Sequence, residues 1–404
     1  MKKLFIILML AIIGFGVNAQ TAYITNSGDN IVSVINVVNN DVVKTIDVGS
    51  TPQAISVSLD GSRVYVANSD DGTVNEINTA TNAVLDTITV GDSPEGILVS
   101  NDGSKVYVTN QNTDELYIIS TATQTVSATV AIGDEPFGLA ESPNGKKLYM
   151  VYGDSASVGV LNTATNVVSK IITVGVGPYG IAVSPNGSKI YVTNAAQGTV
   201  SVIDSLTNTV TANITVGEEP WGVCVSPDGN MIYVANWGDT SLSVISAATN
   251  AVVATIRVGL YPNGVSITPD GKKVYVANQG SATVNVINTA TNTISDTIAV
   301  GTGPQAFGNF ISTHVFTGIA PQSLVSANIE VYPNPNNGKF QVSSPKSQVT
   351  SIAVYNVLGE KVYSLPITDN SSPFTINIAD MPNGVYMVEL RTDKGISVGK
   401  FVKE

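Results

Sequence analysis

The 404-residue sequence contains one cysteine, Cys224, and one histidine, His314. A single cysteine cannot form an internal disulfide, so packing must stabilise the fold. A single histidine excludes most chemistry that needs paired imidazoles, including the multi-histidine sites of copper, zinc or non-haem iron. Cys224 lies in the apolar stretch "GVCVS", where we expect a buried, inert thiol.

Charge is also scarce, and most of it is negative. Only 12% of the residues are charged, and 19 Lys and Arg stand against 31 Asp and Glu, which gives a net charge of -12. Nucleic-acid binding needs a basic stripe that displaces counterions, and an anionic membrane surface attracts basic segments. The composition therefore argues against both partners.

The N-terminal stretch "MKKLFIILMLAIIGFGVNAQ" combines a basic start, an apolar run over residues 4–14 and small residues at Val17 and Ala19. This pattern predicts a secretory signal peptide over residues 1–19. The apolar run is shorter than the roughly 20 residues that span a bilayer, and no later stretch is long enough. We expect an exported protein without a transmembrane segment.

An internal repeat runs through most of the chain. Tyrosines and prolines each recur every 42 residues, the prolines at Pro52, Pro94, Pro136, Pro178, Pro220, Pro262 and Pro304. Within one unit, "YGIAVS", "KIYVTN", "TVSVIDS" and "TVTANITV" are β-branched, strand-length segments. The Asn-Gly pair in "PNGS" predicts a type I′ hairpin between the first two strands. Each unit is therefore expected to be a four-stranded antiparallel sheet.

Four-stranded units of this length are typical of β-propeller blades. The chain enters its first unit at the second strand and leaves the repeat with a lone first strand over residues 305–311. Six complete units and this split pair predict a seven-bladed β-propeller over residues 20–312, closed by three strands plus one. A solenoid is the alternative, but nothing in a solenoid requires complementary end fragments.

Several stretches carry a family resemblance. "YVTN" at residues 107–110 and 191–194, "YVAN" at residues 65, 233 and 275, and "SPDG" at residues 226–229 resemble the YVTN-type propeller repeats of bacterial and archaeal surface and secreted proteins. The resemblance implies the propeller fold. It assigns no activity, because members of this family are functionally diverse.

The 42-residue period is lost after residue 312. Residues 313–328 are predicted to be a linker, and residues 329–404 a small β-sandwich. "VYPNPNNGKFQV", "AVYNVLGEKVY", "MPNGVYMVEL" and the closing "GKFVKE" resemble the C-terminal sorting domain of the Bacteroidetes type IX secretion system. The resemblance implies an export address that is removed at or after the outer membrane. An ordinary adhesive sandwich is the alternative.

The repeats differ mainly in two sets of loops, those before the prolines and those after "YVTN". These loops should form one face of the propeller, which we name the variable face. One changing position follows each proline and should line the channel mouth, and two further aromatic residues lie in loops of the same face. The candidate binding residues are Gln53, Glu95, Phe137, Tyr179, Trp221, Asn263, Gln305, Trp237 and Tyr261. The aromatic residues either form an exposed binding patch or plug the channel mouth.

The opposite face should consist of the nearly constant turns "SPDGSK" and "NTATN"; we name it the turn face. It carries Arg63, Lys105, Lys146, Lys147, Lys189, Lys272 and Lys273. The variable loops gather acidic residues instead, so the field should favour cationic or neutral ligands. Pairs such as Asp70/Asp71 could coordinate calcium, but no EF-hand-like loop is present, and a solvated acidic rim is favoured.

One first-strand position breaks the apolar pattern. Glu141 and Asn309 stand where other blades have valine or isoleucine. If this position faces the blade interior, the Glu141 carboxylate would have a raised pKa and need a partner. A channel-lining site and a local solvent-exposed opening are both consistent with the sequence.

Three function classes remain. The first is a non-enzymatic exported binding protein that holds a glycan, peptide or protein on the variable face. The second is a surface-layer protein that stacks through oppositely charged faces. The third is a hydrolase or lyase, against which stand the single histidine and the absence of a Gly-x-Ser-x-Gly motif or metal-ligand cluster. A carboxylate mechanism around Glu95 and Glu141 would be its only form. We expect the first, with no catalytic residue, metal or cofactor.

Overall fold

The computed structural model describes residues 20–312, 330–343, 349–356, 361–367, 373–392 and 395–403. The predicted signal peptide and the predicted linker with His314 lie outside these residues. The two described parts fall into separate compact units, one within residues 18–316 and one within residues 317–404. Each is described by itself.

Residues 20–312 form seven antiparallel sheets, the blades of the propeller. Blade 1 begins the chain, and blades 2–7 each start at a repeat proline. The first strands of blades 2–7 are β4 (Pro52–Val57), β8 (Pro94–Val99), β12 (Pro136–Glu141), β16 (Pro178–Val183), β20 (Pro220–Val225) and β24 (Pro262–Ile267). The second strands of blades 1–7 are β1 (Thr21–Asn26), β5 (Arg63–Asn68), β9 (Lys105–Asn110), β13 (Lys147–Tyr152), β17 (Lys189–Asn194), β21 (Met231–Asn236) and β25 (Lys273–Asn278).

The third and fourth strands form the outer half of each blade. The third strands are β2 (Ile31–Asn36), β6 (Thr73–Asn78), β10 (Glu115–Ser120), β14 (Ser157–Asn162), β18 (Thr199–Asp204), β22 (Ser241–Ser246) and β26 (Thr283–Asn288). The fourth strands are β3 (Val42–Asp47), β7 (Ala83–Thr89), β11 (Thr125–Ala131), β15 (Val167–Thr173), β19 (Thr209–Thr215), β23 (Ala251–Arg257) and β27 (Thr293–Ala299). Two 3₁₀ turns, Ala195–Gln197 and Gln279–Ser281, follow β17 and β25.

The predicted closure is confirmed. Residues 305–311 lie along β1: Tyr23 N donates to the Phe310 carbonyl and Gln305 N to the Thr25 carbonyl, both at 2.9 Å. The same segment joins the neighbouring inner strands, because Ile55 N donates to the Phe307 carbonyl and Gly264 N to the Gln305 carbonyl. Closing the ring in this way pairs sheet edges that would otherwise remain open.

The recurring "YVTN" asparagine has a structural role. Asn194 is fully buried, and its Nδ2 donates to Thr199 Oγ1 and Ser201 Oγ, each at 3.0 Å. A buried amide needs such partners, and the third strand supplies them in most blades. Blade 4 carries Tyr152 at this position, and Gly133 and Gly159 leave room for its ring.

The predicted type I′ hairpin is wrong. In residues 184–187 only Gly187 has a positive φ (72°), and its N–H donates to the Ser184 carbonyl at 2.7 Å. This is a type I turn, which accepts proline at its second position. Asn186 acts through its side chain, which accepts bonds from Ser184 Oγ and Ser188 N.

Five inner strands carry a glycine two residues after the proline, and each glycine marks a close approach of backbones. A Cβ on Gly180 would overlap the Trp221 carbonyl oxygen, and one on Gly96 would overlap that of Phe137. Only glycine permits such contact between neighbouring blades. At four of the five glycines the nearest carbonyl belongs to the variable position of the next blade, so these glycines let the variable residues of neighbouring blades approach one another.

The C-terminal unit has two facing sheets, as the predicted sandwich requires. Phe340 of the first sheet packs on Phe401 of the second with ring centroids 4.2 Å apart, and both are buried in one apolar core. The first sheet comprises β28 (Glu330–Tyr332), β29 (Lys339–Ser343) and β32 (Phe374–Asn377). The second comprises β30 (Val349–Asn356), β31 (Lys361–Pro366), β33 (Gly384–Thr392) and β34 (Gly395–Lys403).

We predict that Gly180→Ala destabilises the propeller by about 2–3 kcal/mol, because the new methyl group would force the inner strands of blades 5 and 6 apart. Urea denaturation of the full chain measures this. Gly103→Ala is the control: nothing lies within 4 Å of its added Cβ, so it should lose only about 1 kcal/mol from its left-handed backbone. Equal losses in the two variants would contradict the close approach.

Candidate functional site

The two predicted faces are present. Loops after the second strands bond to loops before the prolines, as in Gln111 N to the Ser93 carbonyl at 3.0 Å. Turns after the third strands bond to turns after the first strands, as in Ser205 N to the Ser188 carbonyl at 3.0 Å. The variable face and the turn face therefore lie at opposite ends of the blades.

The predicted aromatic residues form one continuous stack on the variable face. Ring centroids are 4.5 Å apart for Phe137 and Tyr179, 4.4 Å for Tyr179 and Trp221, 5.3 Å for Trp221 and Trp237, and 4.5 Å for Trp237 and Tyr261. Interplanar angles of 11–31° leave the rings nearly parallel. Such offset stacking adds about 0.5–1.5 kcal/mol per pair beyond the area buried.

The stacking covers most of each ring. Phe137, Tyr179, Trp221 and Trp237 are half-buried, whereas Tyr261 at the end of the stack is 43% exposed. Neighbouring rings cover one another's faces, so the stack is partly packing and partly surface. The two alternatives drawn from the sequence each apply to part of the stack. Tyr261 is exposed as in a binding patch, whereas the other four residues are half-buried as in a plug of the channel mouth.

Sequence reasoning missed one ring, Phe307. It meets Tyr179 edge-on with centroids 5.1 Å apart. Phe307 belongs to the closing segment and stands where other inner strands have an aliphatic residue such as Ile181 or Val265. That departure from the repeat is the signal that could have found it.

The polar residues among the seven variable positions around the channel mouth are less accessible to solvent than predicted. Asn263 is fully buried and Gln305 is 7% exposed, and Asn263 Nδ2 donates to Gln305 Oε1 at 2.8 Å. Gln53 is half-buried, and its carbonyl accepts a bond from Thr25 Oγ1. Gln53, Asn263 and Gln305 complete the circle of seven residues around the channel mouth, but the Asn263–Gln305 pair is not exposed to solvent.

Glu95 is the one acidic member of the ring, and it lies beside the stack. Ser69 Oγ donates to Glu95 Oε1 at 3.1 Å, and Ser69 lies 3.2 Å from Ser93 Oγ. Burial raises the pKa of Glu95 to about 7, the Ser69 bond opposes this, and Asp70 adds to it. Burial, followed by the charge of Glu95, raises the pKa of Tyr179. Glu95 therefore titrates near neutral pH at the channel mouth.

Many predicted acidic residues of this face stabilise its loops. Asp71 Oδ2 accepts from Ser50 N at 2.6 Å, Asp114 Oδ1 from Glu135 N at 3.0 Å, and Asp239 Oδ2 from Glu218 N at 3.1 Å. Across the described ranges, no group of three or more His, Cys, Asp or Glu side chains is placed to hold a metal ion.

The predicted basic turn face needs a correction, because most of its cations link blades. Lys147 Nζ donates to the Ser205 carbonyl and Lys189 Nζ to the Ala247 carbonyl of the next blade, at 3.0 and 2.9 Å. Lys105 and Lys273 make equivalent bonds. Arg63 instead pairs with Glu76, so only Lys146 and Lys272 of the seven are exposed, and Lys272 lies 3.5 Å from Asp270.

A cavity of about 290 Å³ lies between the inner strands, in the channel. Its lining includes Glu141, Asn309 and Cys224, but not Glu95. Glu141 is therefore the channel-lining residue that the sequence allowed; its Oε2 accepts from Asn101 N at 2.6 Å, and burial raises its pKa. Cys224 is half-buried rather than buried, and desolvation raises its pKa, which disfavours the reactive thiolate.

The C-terminal motifs meet around Lys403 in the second unit. Lys403 is 6% exposed, and its Nζ donates to the Met381 carbonyl at 2.7 Å and to Asn383 Oδ1 at 3.1 Å, within the stretch "MPNG". Val402 N donates to Asn334 Oδ1 in "YPNPNNG". The first motif, the third motif and the end of the chain thus form one hydrogen-bonded cluster.

Known families match both units. Residues 330–404 match the family described as a secretion system C-terminal sorting domain, and residues 164–302 match the family described as lactonase, 7-bladed beta-propeller. No curated protein matches the chain.

Solved structures share the fold. Hydrazine synthase from Kuenenia stuttgartiensis is 24% identical with a TM-score of 0.62, over 67% of this chain and 92% of that one. A functionally unknown protein from Desulfotomaculum acetoxidans is 16% identical with a TM-score of 0.64, over 72% of this chain and all of that one. At these identities the likeness concerns the fold alone.

The fold and the matches define an exported β-propeller protein. It consists of a seven-bladed propeller followed by a type IX sorting domain. The sorting domain engages the type IX secretion machinery and directs the chain to the cell surface or to secretion. Of the residues that the structure describes, none belongs to a helix long and apolar enough to cross a membrane.

We predict that Glu95→Gln stabilises the propeller more at pH 8 than at pH 5. The pKa of Glu95 is higher in the folded protein than in the unfolded chain, so ionisation of Glu95 lowers stability as the pH rises from about 4.5 to about 7. The glutamine removes this loss. Melting temperatures of parent and variant across this range measure it, with Glu219→Gln as the control for loss of one negative charge. A pH-independent difference would contradict the prediction.

We predict that Lys403→Ala destabilises the sorting domain by about 1–3 kcal/mol, because the two hydrogen bonds that the buried Lys403 ammonium donates to the Met381 carbonyl and Asn383 Oδ1 are lost. Secretion of the full chain should fall as well. The control, Lys339→Ala, alters an exposed lysine of the same unit and should change neither quantity. Normal secretion and stability of Lys403→Ala would argue against the cluster.

Proposed function

We propose that the propeller is a non-enzymatic binding module that recognises an extracellular glycan, peptide or protein on its variable face. The single observation that carries this proposal is the aromatic stack from Phe137 to Tyr261, which spans blades 4–7 on the face whose loops differ in every blade. Rigid scaffolds commonly present binding residues on such loops. Aromatic anchors are also where binding energy concentrates.

The geometry of the stack favours a polypeptide over a sugar. A sugar ring packs best on an open aromatic face, but neighbouring rings in this stack cover one another's faces. Stacked rings offer a ligand mainly their edges, and the most exposed ring is that of Tyr261 at one end of the stack. Apolar side chains of a peptide or protein can pack along such edges without needing an open face.

The surroundings favour a basic partner. Glu218, Glu219 and Asp239 are exposed in the loops beside Trp221 and Trp237, and Asp154 is exposed near the Phe137 end. Like charges opposed across an interface are costly, whereas opposite charges accelerate encounter. We therefore propose a partner that combines apolar side chains with lysine or arginine.

The test uses the two tryptophans, both of which lie in the stack. Peptides with leucine and lysine, and matched peptides with glutamate in place of lysine, are titrated into the full chain while tryptophan fluorescence is followed. We expect only the lysine peptides to bind, and Tyr261→Ala to weaken them about tenfold, or about 1.4 kcal/mol, at an almost unchanged melting temperature.

Tyr179→Ala is the contrasting variant, because Tyr179 contacts three rings. It should lose about 2–3 kcal/mol of stability. A change of tryptophan fluorescence with a glycan panel but with no peptide would refute the polypeptide preference. No binding at all, with salt-sensitive, concentration-dependent sedimentation, would replace recognition with a surface-layer role.

A second candidate is lactone hydrolysis, which the match of residues 164–302 to the lactonase family favours. Glu95, with its pKa raised to about 7, could take a proton from a water molecule that attacks the lactone carbonyl, while the ring oxygen leaves and is protonated. Lactone hydrolysis that Glu95→Gln abolishes would favour this candidate over binding.

A further inference from the structure

Blade 2 departs from the repeat inside its third strand. Glu76 stands at a position that is valine or isoleucine in the other six blades: Val34, Ile118, Val160, Val202, Val244 and Val286. It is 4% exposed, and its Oε1 accepts from Arg63 Nε at 2.7 Å. Blade 2 therefore holds a buried carboxylate, paired with the partly exposed Arg63, where the other blades have an apolar side chain.

The link between blades 2 and 3 is also altered. In four blades a lysine reaches the carbonyl of the next turn, as Lys105 does to Thr163 at 3.0 Å. Arg63 occupies the lysine position but turns back to Glu76. The corresponding Thr121 carbonyl accepts instead from Gln124 Nε2 at 2.8 Å. Gln124 replaces the asparagine found at 40, 82, 166, 208, 250 and 292.

The turns on this side depart as well. Leu59 and Asn101 stand where the first turns of blades 4–7 have proline. Asn101 N donates to Glu141, and its amide donates to the Ser142 carbonyl at 3.0 Å, so the side chain is held in place. Five departures from the repeat therefore meet at one blade interface on the turn face.

A groove of about 550 Å³ lies where these departures meet, lined by Arg63, Tyr65, Glu76, Asn101, Asp102 and Gln124. Glu76 and Tyr65 are buried at its base, and Asn101 and Asp102 are exposed at its rim. Its size lies within the usual range for small-molecule sites, about 300–1,000 Å³.

The lining defines the chemistry of a ligand. N–H donors come from Arg63, Asn101 and Gln124, and carboxylate acceptors come from Glu76 and Asp102. A ligand with hydroxyl groups can bind to both kinds, because a hydroxyl group donates one hydrogen bond and accepts others. Asp60 adds a third carboxylate to the lining, whereas Arg63 is its one guanidinium. This excess of negative charge disfavours binding of an anionic ligand. We propose that this groove is a second ligand site, distinct from the variable face, for a small polyhydroxylated molecule, neutral or amine-bearing, of one or two sugar units.

A purely structural role explains the pair poorly. Burying the Glu76 carboxylate carries a desolvation cost that its ion pair must offset, and the other six blades avoid this cost with valine or isoleucine at the same position. Local departures from the consensus of a fold are typical of functional sites.

The test restores the consensus of the other blades. The full chain and the triple variant Arg63→Lys/Glu76→Val/Gln124→Asn are melted with millimolar glucose, galactose, mannose, their disaccharides, glucosamine and glucuronate. We expect a neutral or amino sugar to raise the melting temperature of the parent in a concentration-dependent way. The triple variant should bind that sugar at least about tenfold more weakly in calorimetric titration. Glucuronate should not bind.

A second variant and a fluorescence measurement show whether the sugar binds in this groove. Asn101→Pro restores another consensus residue, leaves the ion pair in place, and should also weaken binding. Tryptophan fluorescence should not change on binding, because both tryptophans lie on the opposite face. No sugar effect, an equal effect in the triple variant, preferred binding of glucuronate, or a fluorescence change would each overturn the proposal.

Discussion

The close contact between neighbouring inner strands governs the rest of the propeller. At Gly96, Gly180 and Gly222 the carbonyl of the next blade occupies the space that a side chain would need. This contact fixes the spacing of the blades around the channel. Because the contacting carbonyl belongs to the variable position itself, side chains 42 residues apart in sequence reach ring-stacking distance in space. Stacking of Phe137, Tyr179 and Trp221 is thus a direct consequence of a glycine pattern, and Trp237 and Tyr261 join the stack from loops.

The two faces differ in how they accommodate change. On the variable face, loops change in every blade while the hydrogen bonds between loops are kept, so new side chains alter the surface without altering the frame. On the turn face the sequence is nearly constant because lysine and asparagine side chains join successive blades. A departure there, as at Arg63 and Glu76, removes a link between blades and changes the polar groups that line the groove beside it.

Much of the architecture could be predicted from the sequence, because a strict period leaves few solutions. The blade number, the closure by residues 305–311 and the grouping of Phe137, Tyr179 and Trp221 all follow from it. The exposure of the rings could not be predicted, since it depends on blade spacing. The hairpin type was wrong because Pro185 determines the turn. The groove is not evident from the variable loops, because Glu76 lies within a strand of the repeat.

Blade 1 is assembled from both ends of the repeat array, and this determines when the propeller can close. Blade 1 begins the chain, yet it lacks its inner strand until residues 305–311 are available. Contacts between such distant residues carry a large loop-closure entropy and slow folding. The ring can therefore close only when the last residues of the repeat array meet the first. A chain that stops before residue 305 would keep every other blade complete and still leave blade 1 without its inner strand.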